Sequence, residues 1–348
     1  MCSPFYICSY DFWCNHDLRH DLRIKKISSI GNDNKNYTFF KISGAVFDED
    51  MNIYVGDRGG YFIAKYDKNG KYIGRMGQYG QGPDDFSMIS NLKYFNDKLY
   101  VWDIKNIRIT VLNKNLKTIK YIKPDEQFFN MCVLKNKNFF CTYATNSSKD
   151  IGRLRILDFK GKVIDNFFNK NQYGEYKIKK QDAGQFAMSM AFSRIICNVS
   201  ADKHNALIGF MYPLNPAKIF LIDMNGKIKG KFFLDYDKKY NYQMAGKTLK
   251  TFMDMRFQKK TIYHSIINSM FFYKNKYLVF INLIRVETGL KSTIDKNLCF
   301  VLNKKGELLE KIKLSEGLKF FSLTQDGYIL GTDKNTDIPQ VLKYKLCF

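Results

Sequence analysis

The cysteines and histidines within the first 21 positions are the first residues that could bind a metal, namely Cys2, Cys8, Cys14, His16 and His20. Cys14, His16 and His20 lie close together in the sequence, and histidines four residues apart share one face of a helix. The zinc-protease motif requires a glutamate directly after its first histidine, but Asp17 stands there, and no third ligand follows at a recognisable spacing. We therefore interpret residues 1–21 as a leader, either disordered or the remnant of a signal sequence, and assign no metal site.

Nucleophiles and general bases do not form a recognisable catalytic set. No Ser-His-Asp or Cys-His arrangement can be assigned, and His204 and His264 stand isolated in the sequence. The segment FDEDMN, residues 47–52, lacks the glycine and the distal glutamate of a calcium loop. The glycines of GQYGQGPDDF, residues 77–86, lack the Lys-Ser/Thr pair of a phosphate-binding loop, so we interpret them as a crossover between two sheets. The sequence thus assigns no catalytic residue, no metal and no cofactor.

Eight cysteines occur without a C-x-x-C pair, which argues against a zinc ribbon or a thioredoxin-type site. Cys132 and Cys141 would lie directly opposite each other if a hairpin turn were centred on Asn136 and Lys137. This geometry allows a cross-strand disulfide in an oxidising compartment, although two buried free thiols are the favoured alternative. Three further cysteines fall in apolar segments and are expected in the core: Cys197, Cys299 and Cys347.

The charge of the chain is strongly positive, with 56 Lys and Arg against 33 Asp and Glu in 348 residues, a formal net charge of +23. The lysines alternate with apolar residues, as at Lys71, Lys93 and Lys117, and form no block. Arginine, the better bidentate reader of phosphates and guanine, is scarce. We therefore expect a solvated basic surface and no nucleic-acid partner, with polyanion or sulfated-glycan binding as the alternative that the charge permits.

A repeated pair of hairpins organises the rest of the chain. Apolar segments flank a turn of the form Asp/Asn-x-x-Gly-Lys, whose glycine is expected to take a positive φ. These glycines are Gly70, Gly161, Gly226 and Gly306, while TVLNKNLKTIKYI repeats the turn without one. A second hairpin precedes each turn, which predicts four strands per unit and six units in all. Only residues 244–257 have a pattern that a helix could also satisfy.

The two chain ends complement each other. The sixth unit lacks a fourth strand at its C-terminal end, whereas Leu22–Ile30 is a lone strand-like segment before the first unit. We predict that this segment completes the last sheet, because an unclosed repeat would leave long strand edges exposed. The predicted fold class is an all-β, six-bladed propeller of four-stranded antiparallel blades, formed by one domain over residues 22–348.

The segment Phe47–Phe86 carries a family resemblance. Its interblade motif Gly77-x-x-Gly80-x-Gly82-Pro83 is followed by Asp85 and Phe86. In this it resembles the six-bladed, NHL-like and TolB-like propellers of Bacteroidota. The resemblance implies the propeller fold and, because such proteins are often exported lipoproteins, a place in the cell envelope. It implies no particular activity.

In a propeller, the loops between second and third strands and the crossings between blades surround one mouth of the central channel. We expect a ligand or protein partner to bind there, and the insertions at 169–185 and 235–263 to cover the same face. The predicted contact residues from these loops are Arg58, Trp102, Asp103, Tyr212, Arg285 and Asp333. The alternatives are a propeller hydrolase or lyase with a metal or water in the channel, and ordinary loop residues with no ligand.

The sequence alone allows two cellular compartments, the cell envelope and the cytoplasm. No run reaches the roughly 18 apolar residues that span a bilayer, so no transmembrane helix is expected. Cys2 would be a lipid-anchor site if the true start of translation lay upstream, and this favours the cell envelope. Without such a start, the chain as written favours the cytoplasm. A monomer is expected.

Overall fold

Every described element of the protein is a β-strand. The computed structural model describes residues 23–31, 38–133, 138–142, 154–167, 194–199, 205–211, 218–223, 228–234, 262–286, 292–314, 317–333 and 336–347. The chain begins with β1 (Arg23–Ile30), followed by β2 (Ile42–Phe47), β3 (Ile53–Asp57), β4 (Phe62–Tyr66) and β5 (Tyr72–Met76). It continues with β6 (Ile89–Phe95), β7 (Lys98–Asp103), β8 (Arg108–Asn113), β9 (Thr118–Ile122), β10 (Asn130–Val133), β11 (Phe139–Thr142), β12 (Leu154–Leu157) and β13 (Val163–Phe167).

The second half of the chain repeats the same arrangement. Its strands are β14 (Arg194–Val199), β15 (Asn205–Met211), β16 (Lys218–Asp223), β17 (Ile228–Phe233), β18 (Ile262–Tyr273), β19 (Lys276–Val286) and β20 (Ser292–Leu302). The last four are β21 (Leu308–Leu314), β22 (Leu318–Leu323), β23 (Tyr328–Asp333) and β24 (Val341–Cys347). Within the described ranges the strands form six four-stranded antiparallel sheets, which we number from β2–β5 as the first to β22–β24 with β1 as the sixth.

The sheets form a closed ring. The first strand of each sheet packs beside the first strand of the next, and β22 packs beside β2. These six inner strands therefore surround the centre, while the fourth strand of each sheet lies at the outer edge. β1 pairs antiparallel with β24 over Arg23–Ile30, the place predicted for it. The expected all-β ring of four-stranded antiparallel sheets is confirmed.

The hydrophobic core lies between neighbouring sheets. One cluster joins the first and second sheets around Phe86, and another joins the second and third around Trp102. At two of the junctions between sheets, a lysine side chain also forms a hydrogen bond to the neighbouring sheet. Lys65 Nζ donates to the carbonyl of Lys114 in the second sheet at 2.7 Å, and Lys343 Nζ donates to the carbonyl of Lys68 across the junction that closes the ring at 3.1 Å. Burial lowers the pKa of Lys343.

The repeated turns have the predicted conformation. Gly70, Gly161 and Gly306 have φ values of 88°, 88° and 83°. Asp67 Oδ1 shows how the turn is held, because it accepts hydrogen bonds from the backbone N–H groups of residues 69 and 71 at 2.9 and 2.8 Å. Gly226 and residues 244–257 lie outside the described residues.

Three cysteine expectations are resolved by the strand register. Cys132 pairs with Phe140, and Cys141 with Met131, so the predicted direct opposition of the two cysteines is wrong by one residue. Successive residues of a strand point to opposite faces, which places the two thiols on different sides of the sheet. Both are buried and free, as the favoured alternative predicted. Cys299 is buried as expected, whereas Cys347 is exposed and not in the core.

Candidate functional site

The antiparallel order of the sheets defines two ends of the ring. The crossovers between sheets and the loops between second and third strands lie at one end, which we call the crossover face. The turns between first and second strands and between third and fourth strands lie at the other, which we call the turn face. The described parts of the crossover face include residues 58–61, 77–88, 104–107 and 123–129.

Asp103, a predicted ligand contact, is fully buried at the end of β7. Its carboxylate accepts hydrogen bonds from the backbone N–H groups of Ser87 and Met88 at 2.8 and 2.9 Å. It also accepts from the N–H and the side-chain Nδ2 of Asn106, at 3.3 and 2.8 Å. The side chain thus fixes the crossover that enters the second sheet, and this placement does not support contact with a ligand.

Asp57 occupies the same position in the first sheet. It is fully buried and accepts from the N–H groups of Phe40 and Lys41 at 2.7 and 2.8 Å, and from those of Gly59 and Gly60 at 2.8 and 3.1 Å. The sequence analysis missed this residue, although the Asp that closes VGD, residues 55–57, and VWD, residues 101–103, was the available signal. Each carboxylate converts a crossover and the adjacent loop into one rigid unit.

Trp102, the neighbour of Asp103, is also fully buried and serves the next junction. Its indole stacks on the ring of Phe128 with centroids 3.8 Å apart and planes at 10°. Its Nε1 donates to the carbonyl of Phe128 at 2.9 Å. The predicted stacking surface for a ligand is therefore used inside the protein, to hold the crossover that enters the third sheet.

The glycine segment at residues 77–86 is a crossover, as predicted. Phe86 is fully buried, and its N–H donates to the carbonyl of Gln78 at 2.8 Å. Arg108, which the sequence analysis did not select, is nearly buried beneath the segment. Its guanidinium donates to the carbonyls of Gln81 and Gly82 at 3.1 and 2.9 Å, and to that of Asp85. The guanidinium of Arg108 therefore donates its hydrogen bonds to backbone carbonyls of the crossover.

A group of exposed aromatic side chains lies above these rigid crossovers. Phe40 is 70% exposed and Tyr79 is 60% exposed. Tyr79 packs edge-on against Tyr61 with centroids 4.8 Å apart, and Lys105 Nζ lies 5.7 Å from the centroid of the Tyr79 ring. We call Phe40, Arg58, Tyr61, Tyr79 and Lys105 the aromatic platform. Of these five residues the sequence analysis selected only Arg58, because aromatic residues are too frequent in this chain to mark the three aromatic ones.

The backbone of the first sheet brings Phe40 and the loop of Arg58 together. A Cβ at Gly59 would lie 2.6 Å from the Cβ of Phe40, so a residue with a side chain cannot occupy this position without a shift. Arg58 is half-buried, and its N–H donates to the carbonyl of Lys41 at 2.9 Å. The part of the platform that carries Phe40, Arg58 and Tyr61 is therefore assembled from one crossover and one loop that touch.

The remaining predicted contacts lie on other sheets. Arg285 lies within β19, not in a loop, because β18, β19 and β20 are 12, 11 and 11 residues long. β21 pairs only with residues 297–302 of β20, so a three-stranded extension carrying Arg285 continues past it on the crossover face. Asp333 ends β23 in the sixth sheet. Tyr212, His204 and the insertion at 169–185 lie outside the described residues, as do residues 235–261 and Cys14, His16 and His20.

The inner strands line the channel with amide and hydroxyl groups. Asn91 Nδ2 donates to Asn130 Oδ1 at 2.5 Å across the second and third sheets. Asn268 Nδ2 donates to the carbonyl of Leu318 at 2.6 Å across the fifth and sixth. Ser43 and Ser90 are half-buried on β2 and β6. Within their stated ranges, the six inner strands contain no Asp or Glu.

An acidic cluster on the turn face is neutralised by a lysine. Lys114 Nζ lies 2.9 Å from Asp97 and 3.3 Å from Asp50, and hydrogen bonds to these two carboxylates raise the pKa of Lys114. The buried hydroxyl of Tyr54 lies 3.1 Å from the carboxylate of Asp48 and 3.0 Å from the carbonyl of Lys114. Burial raises the pKa of Tyr54, with the Coulomb repulsion of Asp48 adding to it. The cluster therefore joins the first two sheets.

Among the residues that the structure describes, no group of three or more His, Cys, Asp or Glu side chains is placed to hold a metal ion. The same residues include no helix long and apolar enough to cross a membrane.

Comparison with known proteins finds likeness in structure alone. No family model matches the chain, and no curated protein matches it. A member of the DUF4221 family from Bacteroides vulgatus superimposes with a TM-score of 0.61 at 12% identity, over 94% of this chain and 98% of that one. A protein from Bacteroides fragilis assigned as exported gives 0.57 at 11% identity, over 94% and 95%. A luciferin-regenerating enzyme gives 0.51 at 10% identity, over 93% and 95%. At these identities the likeness shows the fold alone, and that fold is a β-propeller.

Proposed function

We propose that the protein is a non-enzymatic, six-bladed propeller that binds a ligand or protein partner at the aromatic platform on its crossover face. The six sheets are the six blades, with β1 completing the last. Arg58 is the one predicted contact that belongs to this platform. Arg285 and Asp333 remain predicted contacts from the fifth and sixth sheets on the same face.

The observation that carries the proposal is the contrast between a rigid base and an exposed aromatic surface. Beneath the platform, buried Asp57 and Arg108 satisfy the backbone groups of two segments. Above it, the rings of Phe40 and Tyr79 are exposed to solvent, although neither ring makes the hydrogen bonds that hold those segments. Large aromatic rings held in fixed positions lose little conformational entropy on binding, and this is why such side chains dominate recognition surfaces.

The residue types of the channel wall favour binding over hydrolysis or elimination. A carboxylate-held metal in the channel would need Asp or Glu from the strands or loops around it. The inner strands supply serine and asparagine, with Lys93, Arg194 and Lys319 as their Lys and Arg residues. Such a wall suits hydrogen bonds to a bound polar molecule.

A place in the cell envelope accompanies this function. It is supported by the family resemblance of residues 47–86 and by the likeness to the Bacteroides fragilis protein assigned as exported. Sequencing the genomic DNA upstream of Met1 tests the lipid anchor at Cys2. An in-frame start followed by basic and apolar codons is the expected result, and an immediate in-frame stop codon contradicts the anchor.

The binding face is tested by site-specific photo-crosslinking in cells. A photoreactive phenylalanine analogue replaces Tyr79 on the platform and, as a matched control, Gln325 in an exposed turn of the turn face. We expect a discrete adduct from position 79, none from position 325, and loss of the adduct when Phe40→Ser is added. Once the adduct is identified by mass spectrometry, the purified partner should bind the wild type at least tenfold more tightly than Phe40→Ser. Equal adducts from both positions would contradict the proposal.

A further inference from the structure

The outer strand of every sheet contains a β-bulge. In each of the six outer pairings one residue of the outer strand is skipped by the register. The skipped residues are Ile27, Ile73, Ile119, Ile164, Lys229 and Leu309. A bulge interrupts the row of free backbone groups on an edge strand, so the outer wall of the ring resists pairing with other strands.

Each outer strand also exposes one branched aliphatic side chain, at the bulge or next to it. These side chains are 43–54% exposed, and they are Ile27, Ile73, Ile119, Ile164, Ile228 and Leu308. Edge protection does not need them, because a bulge and flanking lysines already achieve it. Single exposed aliphatic residues are ordinary, but the same feature in all six sheets points to a surface on which apolar contact is useful.

The charge of the outer wall is basic and uneven. The outer strands carry nine Lys or Arg residues against two acidic ones, Asp165 and Glu310. The sixth sheet is the most basic, because β1 carries three exposed basic residues, Arg23, Lys25 and Lys26, beside exposed Ile27 and has no acidic residue. The third sheet is the opposite case, since exposed Asp165 follows exposed Ile164 on β13.

We propose that the outer edge of the sixth sheet, centred on Lys25, Lys26 and Ile27, binds the surface of an anionic lipid bilayer. Lysines beside an anionic surface gain Coulomb energy from the lipid phosphates. An exposed isoleucine between them gains by entering the boundary between headgroups and acyl chains. A soluble polyanion would use the lysines but would leave the isoleucine in water. The combination of the two therefore favours a bilayer, and this site is independent of the aromatic platform.

The test is vesicle co-sedimentation of the full chain carrying Cys2→Ser, so that no acyl group contributes. The probes are vesicles of phosphatidylcholine alone and of an equimolar mixture with phosphatidylglycerol. We expect binding to the anionic vesicles only, weakening as salt rises. Lys25→Ala/Lys26→Ala should lower the partition coefficient roughly 30-fold, and Ile27→Ser roughly fivefold. The matched controls on the third sheet, Lys160→Ala/Lys162→Ala and Ile164→Ser, should stay within about twofold of the wild type.

Three results would overturn the proposal. The first is no binding to phosphatidylglycerol vesicles at low salt. The second is an equal loss in the third-sheet controls, since that would show a non-specific effect of total charge. The third is retention on heparin together with vesicle binding that Ile27→Ser leaves unchanged, because this identifies a polyanion site without an apolar contribution. Equal melting temperatures of all variants establish that each one is folded.

Discussion

The second and third sheets solve the same structural problem with different chemistry. Each receives a crossover that buries one phenylalanine, Phe86 or Phe128, just before the inner strand begins. In the second sheet, a carboxylate from the sheet itself, that of Asp103, takes four hydrogen bonds from the crossover and the adjacent loop. In the third, the previous sheet supplies Trp102, which stacks on the phenylalanine and makes one hydrogen bond.

The register shows why the third sheet needs another solution. Three residues beyond the buried phenylalanine lie Ile89 in the second sheet and Met131 in the third. Their cross-strand partners are Asp103 and Cys141. A thiol is a weak acceptor and cannot bind two backbone N–H groups as a carboxylate does. The fold thus requires that each of these two crossovers be held in place. The side chain that holds it can come from either of the two neighbouring sheets.

The largest effect is expected from Asp103→Ala. It leaves up to four donors at a buried site without their acceptor, and we expect a loss of about 3–5 kcal/mol in the free energy of unfolding. Urea denaturation gives the value, with Asp67→Ala in an exposed turn as the control at about 1 kcal/mol. Asp103→Asn, which keeps one oxygen, should lie between. Similar losses for Asp103→Ala and Asp67→Ala would contradict the role of Asp103.

The reciprocal change, Cys141→Asp, tests whether a carboxylate at this position of the sheet is enough to hold a crossover. In the third sheet the carboxylate would be buried without the four donors that Asp103 has, and Arg155, which lies opposite it, is already paired with Glu126. We therefore expect a loss of about 2–3 kcal/mol. Cys141→Ala, which only removes volume, should cost about 1–2 kcal/mol in the same denaturation experiment. A stable Cys141→Asp variant would show that the two sheets differ less than the comparison states.

Arg108→Leu should cost about 2–3 kcal/mol, because three backbone carbonyls lose a charged donor that is itself buried. The same variant should make the crossover at 77–86 cleavable by chymotrypsin at Tyr79 under native conditions. The counterpart at the third sheet is Glu126→Gln, which removes the charge of a carboxylate 2.9 Å from Arg155. Arg155 is buried, but Glu126 is 54% exposed and glutamine keeps an oxygen that can accept the same hydrogen bond. That variant should change stability by less than about 1 kcal/mol. Equal proteolysis of the two variants would argue against the role of Arg108.

The turn glycines of the first and third sheets differ in the space around them. A Cβ at Gly161 would lie 2.7 Å from the carbonyl oxygen of Lys123, whereas a Cβ at Gly70 would meet only the side chain of Ile30 at 3.3 Å. Both replacements by alanine strain a positive φ, at a cost of about 1 kcal/mol. Gly161→Ala should lose about 1 kcal/mol more than Gly70→Ala, because it also displaces backbone. Calorimetric melting of the two variants checks the order.

The smallest effect is expected for Cys132 and Cys141, whose thiols should stay unmodified in the native state. Burial raises the pKa of the Cys141 thiol, so it stays protonated and unreactive at pH 8. Iodoacetamide should therefore modify Cys347 in the native protein but not Cys132 or Cys141 until urea is added. Mass spectrometry of the peptides gives the result. A native 132–141 disulfide would require a register different from the one observed.

The sequence predicted features that depend on local chemistry or on counting. The turn glycines follow from the φ values that a short hairpin needs, and the pairing of β1 with β24 follows from a missing fourth strand. The sequence did not predict the roles of Trp102 and Asp103, because a residue at a strand end looks like a loop residue until the neighbouring sheet is in place. Adjacent residues point to opposite faces, and here each face meets a different crossover.

Two other differences between the sequence predictions and the structure have equally specific causes. The register of Cys132 and Cys141 depends on where the hairpin turns, and a shift of one residue moves a side chain to the other face. Arg285 was placed in a loop because Thr288, Gly289 and Lys291 interrupt the apolar pattern, whereas the strands on either side extend beyond the ring. The platform residues Phe40 and Tyr79 were missed because aromatic residues in this chain are so frequent that two more carried no signal.

The pairing of β1 with β24 also sets the order of events during synthesis. β1 is made before every other described strand, whereas its partner residues 341–347 are made after all the others. At ~5–20 residues per second, the roughly 300 residues between them take on the order of 15–60 s to translate. Throughout that interval β1 has no pairing partner, and the first sheet has only one neighbour. The ring can therefore close only after β24 has been made.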